Sequence, residues 1–176
     1  MFQLKEYELD IIIRNEETSD YETITEITLA AFADEPHSNQ TEPFIIKALR
    51  AAGALTVSLV AEVDGKVVGH IAFSPVTIGG RDCDWYGLGP ISVSPEYQRR
   101  GIGKALIREG FGLLKESGAK GCILVGDPGY YERFGFKNIP ELILEGVPPE
   151  NVLALPLAED DARGAVVFHE AFTATS

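Results

Sequence analysis

Val93-Ser94-Pro95-Glu96-Tyr97-Gln98-Arg99-Arg100-Gly101-Ile102-Gly103-Lys104-Ala105 joins a strand end, a loop and two glycines at the start of a helix. Physically this is a cradle for an anion. The N–H groups of a helix's first turn have no intrahelical partners, the helix dipole is positive there, and glycine lets the backbone approach an oxygen-rich ligand without a Cβ in the way. Two familiar nucleotide loops are excluded letter by letter. A Walker loop needs glycine where Gln98 stands and Ser or Thr where Ala105 stands, and a dinucleotide fingerprint needs glycine or a small residue where Leu106 stands.

Trp85 to Val93 reads as the strand that delivers the chain to this loop, and Gly87 and Gly89 within it mark a bulge or a close approach to the backbone. Beyond the loop, Ile102, Ala105, Leu106, Leu113 and Leu114 form the apolar stripe of a long amphipathic helix over 100–117. Ala119 to Val125 then reads as a buried strand and Gly129 to Phe134 as a short helix. Upstream, Asp64-Gly65 between Thr56–Glu62 and Lys66–Pro75 is a hairpin signal, and Gly79-Gly80 turns the chain toward the third strand. Ahead of the hairpin, Thr41 caps a helix over 42–52 with Pro43 in its first turn and Phe44, Ile45, Ala48 and Leu49 facing the core. The polar loop from Asp34 to Gln40 separates it from a first helix that runs to about Ala33 and buries Ile24, Ile27, Thr28 and Ala31. Ser19 and Glu22 have capping-box spacing at the start of that first helix, after a strand at Ile11-Ile12-Ile13. Val152–Leu157 and Ala165–Phe168 supply strands in the tail. The order predicts an α/β fold in a single domain over residues 1–176, with a mixed, mostly antiparallel central sheet and helices on both faces.

A chain of 176 residues buries about 70% of the surface its unfolded form exposes, so one core suffices. Its apolar fraction of 45% excludes a disordered chain. The net charge of −12 removes the phosphate-neutralising attraction on which nucleic-acid binding depends, so nucleic acid is not an expected partner. No apolar run approaches the ~20 residues of a membrane span, and the charged opening Met1-Phe2-Gln3-Leu4-Lys5-Glu6 lacks the form of a signal peptide, so a cytoplasmic protein without a membrane partner is expected. Cys83 and Cys122 show no CxxC or flanking histidine pattern, which argues against a metal site or a disulfide framework. Oligomeric state is left open, a homodimer included.

The segment Gln98-Arg99-Arg100-Gly101-Ile102-Gly103 resembles the Q/R-x-x-G-x-G/A signature of the GNAT (N-acetyltransferase) superfamily. It lies between a strand and a long helix as in that family, and Tyr130-Tyr131-Glu132-Arg133-Phe134-Gly135-Phe136 is similar to the family's Y-x-x-x-G-F segment. The resemblance implies a GNAT-like fold, acetyl-coenzyme A as co-substrate without a metal, and an amine as acceptor. It implies that Arg99, Arg100, Gly101, Ile102, Gly103, Lys104 and Ala105 surround the pyrophosphate, chiefly through backbone N–H groups. The backbone of Ile91 and Val93 would pair with pantetheine like an added strand, and the Val93 N–H would face the thioester oxygen. Tyr131 matches the tyrosine that protonates the departing thiolate, with Tyr130 as the alternative.

Two positions depart from the family pattern. Asp127-Pro128-Gly129 stands where many relatives carry an asparagine that contacts coenzyme A, and Gly87 stands where some carry a catalytic glutamate. The general base is therefore open among Asp84, His70, Glu35, His37 and a water chain. Cys83 is a weak candidate nucleophile, and Trp85, Phe134 and Phe136 read as core. A module that binds acyl-coenzyme A without turnover is the alternative function, which the missing strand carboxylate permits.

Overall fold

The computed structural model describes residues 9–176; the charged opening Met1–Glu6 lies outside the described residues. Strand β1 (Ile11–Asn15) leads through a 3-10 turn into helices α1 (Tyr21–Phe32) and α2 (Glu42–Ala51). The three strands β2 (Val57–Val63), β3 (Lys66–Ile78) and β4 (Arg81–Val93) follow, then α3 (Ile102–Glu116), β5 (Gly121–Val125) and the short α4 (Pro128–Tyr131). The tail adds β6 (Leu142–Ile143), β7 (Val152–Pro156) and β8 (Gly164–Phe168). The sheet runs β1-β2-β3-β4-β5-β7, with β8 on the far part of β3 and β6 on β8. Its pairs are antiparallel except β4 with β5 and β6 with β8. Among the described residues no helix is long and apolar enough to cross a membrane.

Alternation along β3 puts the helices on opposite faces. A Cβ on Gly69 would lie 3.0 Å from Ile102 of α3. Its neighbour His70 points the other way, toward the layer of α1, whose Thr28 reaches Ser92 of β4. On the α3 face Leu59, Ala61, Ile71, Phe73, Leu106, Ile107 and Leu114 form the larger core, and on the α1 face Ile24, Ile27, Ile46 and Val60 form a smaller one. The predicted stripe of α3 omits Ile107 and Gly110, both buried. Gly110 is needed there because a Cβ would come within 2.3 Å of the Phe73 ring.

Local details differ from the sequence expectations where tertiary partners decide them. The Ser19–Glu22 capping box does not form. Instead Asp20 organises the entry to α1, accepting from the Glu17 N–H at 2.7 Å and from the Arg14 guanidinium at 2.7 and 3.0 Å. The hydrogen bond from Arg14 chiefly holds the Asp20 carboxyl below the usual range. Ala31 is only half-buried, since it lines a cavity. In α2 the buried positions are Pro43, Ile45, Ile46 and Leu49, with Phe44 and Ala48 at the margin. Strand β4 starts four residues earlier than the sequence suggests, its first residues pairing with the end of β3.

Candidate active site

The sheet opens where the cradle begins. β4 pairs with β5 only over Trp85–Gly87 against Gly121–Ile123, and past that point the two strands share no further pairs. A bulge sits just beyond: Ile71 pairs with Ile91 and Phe73 with Leu88, so Ala72 of β3 faces both Gly89 and Pro90 of β4. The extra residue turns the last part of β4 and re-aims its backbone.

The direction of the Val93 amide follows from the ladder. Ser94 N–H donates to the Val68 carbonyl at 2.8 Å, so Gly69 and Val93 form the non-hydrogen-bonded pair and the Val93 N–H and C=O both turn away from β3. The carbonyl is taken by the side-chain amide of Gln98, which donates to it at 3.0 Å. The N–H is left facing the gap. Gln98, the first letter of the motif, thus ties the loop to the strand end.

Arg99 (φ 63°) and Gly101 (φ 86°) both adopt left-handed backbone, and this alternation curls the loop into α3. The first intrahelical bond runs from Ala105 N–H to the Gly101 carbonyl at 3.1 Å. The N–H groups of Ile102, Gly103 and Lys104 therefore have no acceptor within the helix. A Cβ on Gly101 would meet nothing within 4 Å, so the space above the cradle is open.

These parts line one cavity of about 840 Å³. Ile91, Ser92 and Val93 form its strand wall, Gln98, Arg99, Gly101, Ile102, Gly103 and Lys104 its cradle, Tyr130, Tyr131 and Arg133 a third side, and Ala31, Phe32, Glu35 and Tyr97 the rest. Tyr131 is packed edge-on against Tyr130 with ring centroids 4.9 Å apart, and against Phe136 at 6.0 Å. Burial, with smaller repulsion from Tyr130 and Cys122, pushes its phenol up to about 12. Arg133 lies over the Tyr130 ring at 4.7 Å.

Of the candidate residues, Ile91, Val93, Arg99, Gly101, Ile102, Gly103, Lys104, Tyr131 and Glu35 are brought together here. Two cradle candidates fall outside the lining. Arg100 turns back over the Tyr97 ring at 5.6 Å, and the Ala105 N–H is already committed to Gly101. Asp84 sits at the start of β4, beyond the paired stretch with β5, and does not line the cavity. His70 is fully buried in the sheet, with Nε2 2.8 Å from the Ser58 hydroxyl. Burial chiefly, and Arg50 secondarily, depress it to about 3, so it stays neutral at physiological pH and has no place in the cavity wall. His37 is exposed on the loop and also lies outside the lining. Asp127 caps α4 by accepting from the Gly129 N–H at 2.9 Å. Cys83 is half-buried and its thiol is raised by desolvation.

Gly87 has a structural reason to lack a side chain. A Cβ there would fall 2.2 Å from the Phe168 ring, which the tail strand β8 lays over it. Trp85 is core, its indole N–H donating to Asp160 at 2.6 Å, and Phe136 is buried while Phe134 is half-buried. Sequence reasoning missed Phe32, Tyr97, Ser92 and Arg133. The only local signal for them was position: Phe32 at a helix end, Tyr97 one residue before the motif, and Arg133 three after Tyr130 in the second motif. Among the described residues no cluster of His, Cys, Asp or Glu is arranged to hold a metal ion.

Comparison with known proteins agrees with this architecture. The family model described as "Acetyltransferase (GNAT) domain" matches residues 55–138. The uncharacterized N-acetyltransferase YhbS of Escherichia coli K12 is 36% identical over 141 residues, covering 76% of this chain and 84% of YhbS. A GNAT family acetyltransferase from Brucella melitensis, solved in complex with acetyl-CoA, is 51% identical with a TM-score of 0.83, covering 92% of this chain and 97% of that one. The crystal structure of E. coli YhbS in complex with CoA gives a TM-score of 0.83 at 32% identity, over 96% of this chain and 94% of that one. The chain belongs to the GNAT family of acetyl-CoA-dependent acyltransferases.

Proposed function

We propose that this protein, acting as a single cytoplasmic domain, moves the acetyl group of acetyl-coenzyme A directly to a primary amine. The observation that carries this is the shared cavity: the outward Val93 N–H, the free first turn of α3 and the Tyr131 phenol all border it. The complexes of its relatives with acetyl-CoA and CoA support the choice of donor. The free Cys83 and Cys122 suit a reducing compartment.

The cradle fits an anionic pyrophosphate, because Ile102, Gly103 and Lys104 offer unpaired N–H groups and Arg99 and Lys104 add positive charge. The backbone of Ile91 and the outward N–H of Val93 suit a pantetheine arm laid alongside as an added strand. An acceptor ammonium gives up one proton to reach its free-amine form. The nitrogen lone pair then forms the C–N bond to the thioester carbon, and the carbonyl oxygen takes up negative charge opposite the Val93 N–H, a contact worth about 3 kcal/mol in comparable holes. Collapse breaks the C–S bond, with its electron pair leaving on sulfur. Sulfur takes the Tyr131 proton, and the second proton of the nitrogen restores the phenol.

The test is release of free thiol from acetyl-coenzyme A with a panel of primary amines, repeated with Tyr131→Phe. The variant should lose about a hundredfold in kcat with acetyl-coenzyme A affinity unchanged. Because Tyr131 is pushed up to about 12, its acid form persists through the assay range. Wild-type rate should therefore rise with pH as the amine deprotonates, with no decline by pH 10. Tight acetyl-coenzyme A binding without any thiol release would instead favour the sensing module.

A further inference from the structure

Resting on the transferase assignment above, the charges in the cavity wall point to the acceptor. Its basic side chains, Arg99, Lys104 and Arg133, stand on the cradle and its neighbour, where a polyanionic donor needs them. The wall contributed by α1 and its following loop is different. Glu35 is the one carboxylate lining the cavity among the described residues, and Phe32 and Tyr97 line it too.

The backbone holds Glu35 in place. Its N–H donates to the Phe32 carbonyl at 3.2 Å and its own carbonyl accepts from Ser38 N–H at 3.1 Å, so tight turns clamp it on both sides. The Gln40 side-chain amide donates to the same Phe32 carbonyl at 2.5 Å, tying the loop back onto the helix end. The carboxylate itself is exposed and enters none of the ion pairs formed among the described residues. An anion lining the same cavity as a polyanion-binding cradle opposes donor binding, and among the described residues its carboxylate forms no hydrogen bond or ion pair that would hold it to the fold.

We infer that Glu35 captures the acceptor, which is a primary alkylammonium: the carboxylate pairs with the cationic nitrogen while the Phe32 and Tyr97 side chains take the adjoining hydrocarbon. Carboxylate and apolar aromatic surface together select a cation bearing an apolar chain. An acceptor whose amine sits beside a carboxylate, such as a free α-amino acid, meets repulsion at the same place. Glu35 thus sets specificity and positions the nitrogen, and the lost proton passes to solvent at the exposed side of the loop.

Steady-state kinetics on the full chain test this with n-butylamine, 1,4-diaminobutane, 2-phenylethylamine and glycine as acceptors. The three alkylammonium compounds should be acetylated with kcat/KM at least tenfold above glycine. Glu35→Gln should raise their KM about ten- to a hundredfold while kcat falls less than about threefold. Acetyl-coenzyme A affinity, measured by calorimetry without acceptor, should be unchanged or slightly tighter. An amine KM within twofold of wild type in Glu35→Gln, with turnover intact, overturns the assignment of Glu35 but leaves the transferase reading standing. Preference for glycine over the alkylamines overturns the acceptor class. Absence of thiol release with every acceptor, despite acetyl-coenzyme A binding, overturns the transferase reading and this inference with it.

Discussion

Acidification from pH 7 to pH 5 should destabilise the protein by about 2 kcal/mol through His70 alone. In the fold this imidazole is fully buried, is hydrogen-bonded to Ser58 on one nitrogen, and leaves Nδ1 without a partner. Arg50 adds repulsion to the cost of charging it, Asp20 opposes weakly, and its pKa drops from 6.5 to about 3. Once unfolded, the same ring takes a proton near pH 6.5. Between those values the unfolded chain binds a proton that the native state refuses, so stability is fully present above 6.5 and falls as pH drops toward 3. At about 1.36 kcal/mol per pH unit, the 1.5 units from 6.5 to 5 amount to about 2 kcal/mol, and any native pKa below about 4.5 gives nearly the same result over this window. Urea unfolding at pH 7 and pH 5, for wild type and His70→Gln, isolates the effect, since the variant should lack that increment of pH dependence. The reasoning is refuted if the two proteins lose equal stability between these pH values. Because His70 lies outside the cavity, His70→Gln should also keep kcat of the same order, whereas loss of activity with the fold intact would return it to the list of bases.

The cradle and the covered glycine of β4 give two further expectations. Gly101→Val forces a β-branched residue into φ 86° and puts methyl groups into open space above the cradle, so acetyl-coenzyme A should no longer raise the melting temperature although far-UV circular dichroism stays native. An undiminished thermal shift would remove the cradle from the binding site. Gly87→Ala sets a methyl 2.2 Å from the Phe168 ring and should cost about 1–3 kcal/mol by overpacking, and Phe168→Ala in the same chain should recover part of that loss. Additive losses in the double variant would show that the ring is not what excludes a side chain at position 87.

How much of this was legible in the sequence depended on how local the cause was. The Asp64-Gly65 hairpin, the apolar stripe of α3 and the Gly101 N-terminus are set by turn chemistry and periodicity, and each stands where the residues place it. The capping box at Ser19 failed because Arg14, arriving from β1, made Asp20 the better organiser. Ile107 lies at helical spacing from Gly110 and Leu114 and belongs to the stripe, whereas Gly110 was invisible to a stripe count since its close packing is against Phe73 from another element. In the site, the loop and Tyr131 each stand in a motif-bearing stretch of chain and Tyr97 directly precedes the loop, but Phe32 and Glu35 reach the cavity only because α1 packs on β3 and β4. No spacing rule links residue 35 to residue 131.

Gly87 shows why a substitution pattern alone misleads. Read against relatives with a glutamate there, it is a missing base, which weakens the case for catalysis. Within the fold, its face is occupied by Phe168, carried in by the tail strand β8, and the same tail continues through Phe172, tilted against Phe168 with ring centroids 5.1 Å apart, and packs Ala171 in one cluster with Ile45 and Leu49 of α2. A carboxylate at position 87 would be buried under an aromatic ring, where ionisation is costly and proton acceptance from a cavity it does not border is blocked. The tail therefore accounts for the glycine on packing grounds, and the search for polar acceptor contacts moves to the cavity wall that carries a carboxylate. That wall is the end of α1 and its loop, where Glu35, the one carboxylate lining the cavity among the described residues, stands.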